Sequence, residues 1–315
     1  MTLVWLGAIA LATASIVWGA ERFAAHLAAA SVGIGVSTFA LAILLAGAEP
    51  EELATAVTAS ARDTAGIAYG DVVGANVAIC LIALGVGAVV APLPFGRRVR
   101  PYAWFGVPIA LIATGIAWDG AVERIEGGAL VAMYVVYVSA IWLRERRPPA
   151  LGETDELAEA SAMPRRRRVG RDLGILLVGL AAMALGAVLL VEAVRQLTGA
   201  EETQTVLALT LVGFATAFEL VVLAWSTARR GATEATIAGV VGSLTYNVTM
   251  TLGAAAIVRP LRLADPGTLR PALVMMLAVI ALVSVLGSRG AQLDRREGLA
   301  LIALYPVFVV ATALS

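Results

Sequence analysis

Lysine is absent from this 315-residue chain, histidine and cysteine occur once each, and charged residues make up only 15% of it. The lone Cys80 excludes an intramolecular disulfide and, sitting inside an apolar run, is expected to pack in the core. The lone His26 excludes a histidine metal pair and is expected at an interface or in packing. With no cluster of histidine or cysteine, soft metal ligands are lacking and a membrane enzyme built on them is disfavoured. The net charge of zero says little about partners, because it averages over whatever aqueous faces the chain presents.

What fills the sequence is apolar length. Hydrophobic residues make up 60% of the chain and the mean hydropathy is +0.87, far more than one water-soluble core requires. A bilayer span needs roughly 20 apolar residues. Candidates fall near 3–19, 31–58, 70–92, 102–118, 127–143, 173–195, 204–228, 235–258, 270–288 and 298–314. The expected fold is therefore an all-α integral membrane protein with about ten transmembrane helices.

The chain also repeats itself. Glu52 in G-A-E-P-E-E-L-A-T (Gly47 to Thr55) and Glu219 in G-F-A-T-A-F-E-L-V (Gly213 to Val221) each interrupt an apolar run and precede a glycine-rich one. Those later runs read G-D-V-V-G-A-N (Gly70 to Asn76) and A-G-V-V-G-S-L-T-Y-N (Ala238 to Asn247). A second echo, R-I-E-G-G-A-L-V-A-M-Y from Arg124, returns as R-R-E-G-L-A-L-I-A-L-Y from Arg295. The expected organisation is a first five-helix repeat over 1–145, a cytoplasmic linker over 146–171 and a second repeat over 172–315. An odd number of spans per copy inverts the second copy, the arrangement that places solute sites at the repeat interface of secondary transporters.

Arginine placement orients the chain. Arg22, Arg97, Arg98, Arg100, the central-loop arginines, Arg229, Arg230, Arg289, Arg295 and Arg296 fall on one side. Only Arg62, Arg124, Arg195, Arg259, Arg262 and Arg270 fall on the other, so both termini are expected outside and the central loop in the cytoplasm. Abundant alanine and arginine with compact loops fit a prokaryotic plasma membrane. The run Arg165 to Arg168 reads as a topology determinant or as a contact for anionic headgroups. The polar segment from Pro148 to Pro164 reads as a flexible linker, and the first span, lacking a basic leader, is not expected to be a signal peptide.

An acid at the centre of a membrane helix costs on the order of 2.5–3.5 kcal/mol, so Glu52 and Glu219 are functional candidates by default. Gly47 and Pro50 should break the second span and free backbone carbonyls to line a cavity. Helical spacing places Glu49 with Glu52, Thr216 with Glu219 and Ser243 with Asn247, while Glu51 is expected to point elsewhere. Such an oxygen-rich, net-negative site near the midplane suits a hard cation such as Ca²⁺.

These segments resemble the two alpha-repeats of the calcium/cation antiporter superfamily, which includes the sodium/calcium exchangers, with its pattern G-T-S-L-P-E-L followed by G-N-V-x-G-S-N-x-x-N. Gly47, Glu52, Leu53, Gly70, Gly74 and Asn76 match in the first copy, within an alpha-repeat at about 31–92. Thr216, Glu219, Leu220, Gly242, Ser243 and Asn247 match in the second, at about 204–258, with one residue inserted around Arg230 to Glu234. G-A-E-R-F (Gly19 to Phe23), L-G-A-V-L-L-V-E-A-V (Leu185 to Val194) and both E-G-x-x-L-x-x-x-Y segments extend the likeness along nearly the whole chain.

The departures are equally specific. Ala48 and Glu49 replace the hydroxyl pair, Asp71 and Gly239 replace the first asparagine, Ala75 replaces a serine, and Leu244 and Ile79 replace later asparagines. Hydroxyls and amides that finish sodium sites are thinned, and two carboxylates are added. Glu49 reads either as a ligand or as an acid beside a helix N-terminus, and Asp71 either as a ligand or as the interfacial start of the third span.

The resemblance implies a secondary active antiporter, not an enzyme, with Glu52, Glu219, Asn76, Thr216, Ser243, Asn247, Glu49 and Asp71 around the ion. Its partners would be inorganic cations and the lipid bilayer, with no nucleic acid and no cofactor beyond transported Ca²⁺ and Na⁺ or H⁺. Two carboxylates converging in a cavity of low dielectric repel, so an empty site must take up a proton or hold a monovalent cation before it crosses, whereas a dication neutralises both. Antiport follows if only compensated states switch orientation. A channel, exchange of another cation with H⁺, and a cation-binding protein that no longer transports are the alternatives. Glycines 70, 74, 239 and 242 read first as packing residues between membrane helices.

Overall fold

The computed structural model describes residues 2–34, 47–95, 99–145, 169–229, 233–290 and 292–314. Helix dominates them, because a backbone without water must satisfy its amides within its own segment. In chain order the helices are α1 (Thr2–Ile34), α2 (Pro50–Ala61), α3 (Ala65–Val90), α4 (Val99–Ala117), α5 (Arg124–Glu145) and α6 (Val169–Leu197). Then come α7 (Glu201–Leu207 on through Gly213–Thr216), α8 (Phe218–Arg229), α9 (Thr233–Tyr246 on through Leu252–Val258), α10 (Leu269–Gly290) and α11 (Arg295–Leu314).

Among the described residues eight helical stretches are long and apolar enough to cross a bilayer, and Ala103–Ala117 is a shorter apolar helix. This is fewer than the ten spans expected. The shortfall lies at α4, whose apolar stretch is short, and at the 31–58 candidate, where residues 35–46 are outside the described set. The segment 146–168, with Pro148 to Pro164 and Arg165 to Arg168, also lies outside it, as do Arg97, Arg98 and Arg230.

The first helix is much longer than the 3–19 candidate, reaching Ile34. The extra turns have a partner, because α6 runs beside α1 with Gly19, Gly179 and Gly186 at the crossing, where a Cβ on Gly19 would come within 2.6 Å of the Gly179 carbonyl oxygen. Further along, His26 Nδ1 lies 3.0 Å from Asp172 Oδ1. The unique histidine is therefore a packing residue between two helices.

Burial separates inner from outer helices. Membrane-length windows of α3 and α9 are each 83% buried, against 22% for α11 and 28% for α1. The outer helices expose apolar side chains such as Leu11, Leu111, Val136, Leu177, Leu185, Val307 and Val310, the surface a lipid environment favours.

The first and second halves interleave, and several contacts among the described residues recur with the halves exchanged. Helix α3 packs on α11 where Gly85 meets Gly298, and α9 packs on α5 where Gly253 meets Gly127. Leu93–Pro94 pairs antiparallel with Gln292–Leu293, and Ala121–Val122 with Leu261–Arg262. Helices α3 and α9 each contain one wider, π-type turn, at Ile79–Ala83 and Asn247–Thr251, followed by seven more α-helical residues. The repeated E-G echo also gains a local cause. Glu126 Oε2 accepts the Glu123 N–H at 2.8 Å and Glu297 Oε2 accepts the Asp294 N–H at 2.9 Å, so each glutamate ties down the first turn of its helix.

Candidate functional site

Two breaks in the helices create the site. Gly47 adopts φ +67°, a conformation other residues resist, and Pro50 then opens α2 where its missing N–H is no loss. The Gly47 backbone lies directly against Gly242 of α9, leaving no room for a Cβ. In the second half Ala217 interrupts the path from α7 to α8, and Gly213, four residues earlier, lies against Gly74 of α3 in the same manner. Two glycine-on-glycine crossings thus press each broken segment into the buried helix of the opposite half. Sequence reading assigned packing to Gly74 and Gly242 without seeing that Gly47 and Gly213 are their partners. Gly70 is also tight, against Ala208, whereas a Cβ on Gly239 would meet only Leu223 at 4.0 Å, so the packing role fails there.

Those crossings bring the expected residues together from both halves. Ser243 on α9 donates to Glu49, which precedes α2. Thr216 at the end of α7 donates to Asp71 on α3 at 2.9 Å. Asn247 donates to Asn76 Oδ1 at 3.1 Å, and Asn76 donates in turn to the Leu244 carbonyl at 3.3 Å. Glu49, Glu52, Asp71, Asn76, Thr216, Ser243 and Asn247 are all buried; Glu219, in the first turn of α8, is partly buried and near enough to Glu49 and Glu52 for their charges to interact.

The geometry also separates the competing readings of the added acids. Asp71 lies on the second turn of α3 with its carboxyl against Thr216, not at the exposed start of a span. Glu49 does occupy the position ahead of the α2 N-terminus, yet its side chain caps no backbone N–H and reaches Ser243 instead. Glu51, expected to point elsewhere, is 1% exposed and its Oε1 has no hydrogen-bond partner. The helix starts only at Pro50, so Glu49 lies before the first turn and helical spacing does not relate the two acids. The signal available was the Gly47/Pro50 break itself.

Several buried carboxylate oxygens find no protein hydrogen-bond partner: Glu51 Oε1, both Glu52 oxygens and Asp71 Oδ2. No arginine is among the buried residues described. Buried carboxylates left in this way are expensive unless a cation or proton joins them. Among the described residues no three histidine, cysteine, aspartate or glutamate side chains converge closely enough to hold a metal unaided. A cation here would need neutral oxygens as well, which Thr216, Ser243, Asn76 and Asn247 can supply, and hard cations accept such mixed sets.

Membrane-length helices, interleaved halves and acids buried at broken helices define a multi-pass membrane protein. The chain belongs to the sodium/calcium exchanger protein family, whose match spans residues 4–143 and 172–314. It is 24% identical over 333 residues to the sodium/calcium exchanger MaX1 of Methanosarcina acetivorans, covering 94% of each chain. It is 23% identical to the uncharacterized membrane protein MJ0091 of Methanocaldococcus jannaschii, over 93% of this chain and 90% of that one, and 23% identical to the inner membrane protein YrbG of Escherichia coli, over 91% and 90%. Among solved structures, the sodium-calcium exchanger NCX_Mj soaked with 10 mM Na⁺ and 10 mM Sr²⁺ superposes with a TM-score of 0.62 at 19% identity, covering 98% of this chain and 99% of that one. The fold is thus shared along the whole length.

Proposed function

We propose that this protein is a secondary active cation antiporter that exchanges Ca²⁺ for Na⁺ or H⁺ by alternating access. The observation that carries the reading is the set of buried, partnerless carboxylate oxygens where Glu49, Asp71 and Asn76 of the first half bond to Ser243, Thr216 and Asn247 of the second. A site divided in this way loses some of its ligands when the halves shift relative to one another. Its occupancy is therefore coupled to orientation.

The architecture behind the reading is ten spans in two inverted five-helix repeats, 1–145 and 172–315, joined by a cytoplasmic linker over 146–171. Recurrence of the Gly85–Gly298 crossing as Gly253–Gly127, and of one strand pair as the other, supports it. Arginine placement supports termini outside and the linker inside a prokaryotic plasma membrane. Glu52 and Glu219 hold the cation, Thr216, Ser243, Asn76 and Asn247 add neutral oxygens, and the buried Glu49 and Asp71 add charge. One dication neutralises the Glu52 and Glu219 pair; without it the counter-ion must do so before the site crosses the low-dielectric interior. The names of the relatives favour Na⁺. The extra buried carboxyls of Glu49, Glu51 and Asp71 favour H⁺ as the second reading.

The test is ⁴⁵Ca²⁺ uptake into sealed proteoliposomes under an outward Na⁺ gradient and, separately, an outward H⁺ gradient, with Glu52→Gln as control. Uptake driven by one gradient and lost in the variant supports antiport and names the counter-ion. Absence of uptake under both gradients contradicts it, and flux without counter-transport would indicate a channel.

A further inference from the structure

We propose that Tyr305 is a positioning residue for the cation site: its hydroxyl, donated to the Thr210 carbonyl, holds a wide turn of α7 in place and so fixes where Thr216 and Glu219 stand. The proposal rests on the antiport reading above and gives a role to the tyrosine that closes the second E-G-x-x-L-x-x-x-Y segment.

Helix α7 does not run regularly into the site. Residues Ala208–Val212 form a wider, π-type turn, and Gly213–Thr216 follow before the interruption at Ala217. A wide turn disturbs the regular hydrogen-bond ladder, so a carbonyl within it is open to a side-chain donor. Tyr305 on α11 supplies that donor, its Oη lying 2.9 Å from the Thr210 carbonyl oxygen. The Thr210 hydroxyl is turned back onto the Val206 carbonyl at 2.8 Å, so the tyrosine holds the backbone of the turn and not its side chain.

The ring of Tyr305 holds the same segment a second time. It packs on Phe214 with 5.7 Å between centroids and on Phe308 with 6.0 Å, and Phe214 packs on Phe218 with 6.1 Å. Phe214 and Phe218 stand on either side of Thr216, and Glu219 follows directly. The other side of the segment rests on α3, through Gly213 against Gly74 and through the Thr216 bond to Asp71. The stretch that carries Thr216 and Glu219 is thus held between α3 and α11. Tyr134, at the same place in the first E-G segment, meets Tyr246 edge-on at 5.3 Å, and Tyr246 immediately precedes the wide turn Asn247–Thr251. Each motif tyrosine therefore stands beside a wide turn that leads to or carries a site residue.

A hydroxyl that only satisfied a stray carbonyl would add stability and leave ion affinity unchanged. One that positions the turn must alter affinity in protein that is still folded. The experiment measures equilibrium ⁴⁵Ca²⁺ binding and thermal unfolding on full-length purified wild type, Tyr305→Phe and Leu301→Ala. Tyr305→Phe keeps the ring and removes only the donor, and it should weaken Ca²⁺ binding about three- to tenfold, the range that one hydrogen bond accounts for. Leu301→Ala opens a cavity at a buried position one turn earlier on α11; it should lower the melting temperature more while Ca²⁺ affinity stays within about twofold. Wild-type affinity in folded Tyr305→Phe, or affinity losses that follow the melting temperature alike in both variants, would overturn the positioning role and leave antiport standing. Absence of saturable Ca²⁺ binding in wild type would overturn the antiport reading and this role with it. If Tyr305→Phe does not fold, Phe214→Leu, which withdraws the ring contact from the same segment and leaves the hydroxyl in place, must weaken Ca²⁺ binding; wild-type affinity there would overturn the role.

Discussion

The two halves carry corresponding glycine crossings and broken helices but different side chains beside them. Among the described residues, the first half brings the acids Glu49, Glu51, Glu52 and Asp71 to the candidate site, and the second brings Glu219 with Thr216, Ser243 and Asn247. In two hydroxyl-to-carboxyl bonds between the halves among the described residues, Ser243 to Glu49 and Thr216 to Asp71, the acid comes from the first half and the hydroxyl from the second. The glycine crossings leave no room for a Cβ at Gly47 or Gly213, while the side chains beside them differ between the halves. Among the described residues, buried acids therefore concentrate on the first-half side of the candidate site.

The comparison can be broken most severely at its centre. Glu52→Gln should reduce gradient-driven ⁴⁵Ca²⁺ uptake at least about 100-fold, because a charge at the interior of the site is lost. Uptake near wild type would remove Glu52 from the transport role. Next come the crossings. Gly213→Val should lower the yield of folded protein and the melting temperature, since the added atoms would overlap Gly74 and Ala75, and size-exclusion profiles with thermal unfolding will show it. Gly47→Val should do the same and add backbone strain at φ +67°.

A smaller effect probes the cross-half bonds. Thr216→Val removes the donor to Asp71 and should destabilise the protein by about 1–3 kcal/mol, with Ser243→Ala acting alike on Glu49. If one variant is neutral and the other is not, the two bonds are not equivalents. The smallest effect belongs to Gly239→Ala, whose new methyl meets only Leu223 at 4.0 Å; its stability should stay within about 0.5 kcal/mol of wild type.

Much of this was legible in the chain itself. Hydropathy located α3, α5, α9, α10 and α11 to within a few residues, because a helix that crosses a bilayer must be apolar over a fixed length. The acids stood out because carboxylates are rare in such runs. Three features were not legible. The extension of α1 depends on α6 lying beside it, a tertiary cause that hydropathy does not record. The burial of Glu51 was not legible from helical spacing, because α2 begins only at Pro50 and Glu49 lies outside the helix. The pairing of Gly47 with Gly242 and of Gly213 with Gly74 joins residues from opposite halves, which no local window can connect.

The most direct measurement of the central claim, one cation site shared by both halves, is anomalous diffraction from crystals of the full-length protein soaked in Sr²⁺. The account predicts a single strong peak about 2.3–2.6 Å from carboxylate oxygens of both Glu52 and Glu219, completed by oxygens from Thr216 or Ser243. A peak ligated from one half only, or only at the protein surface, would contradict it.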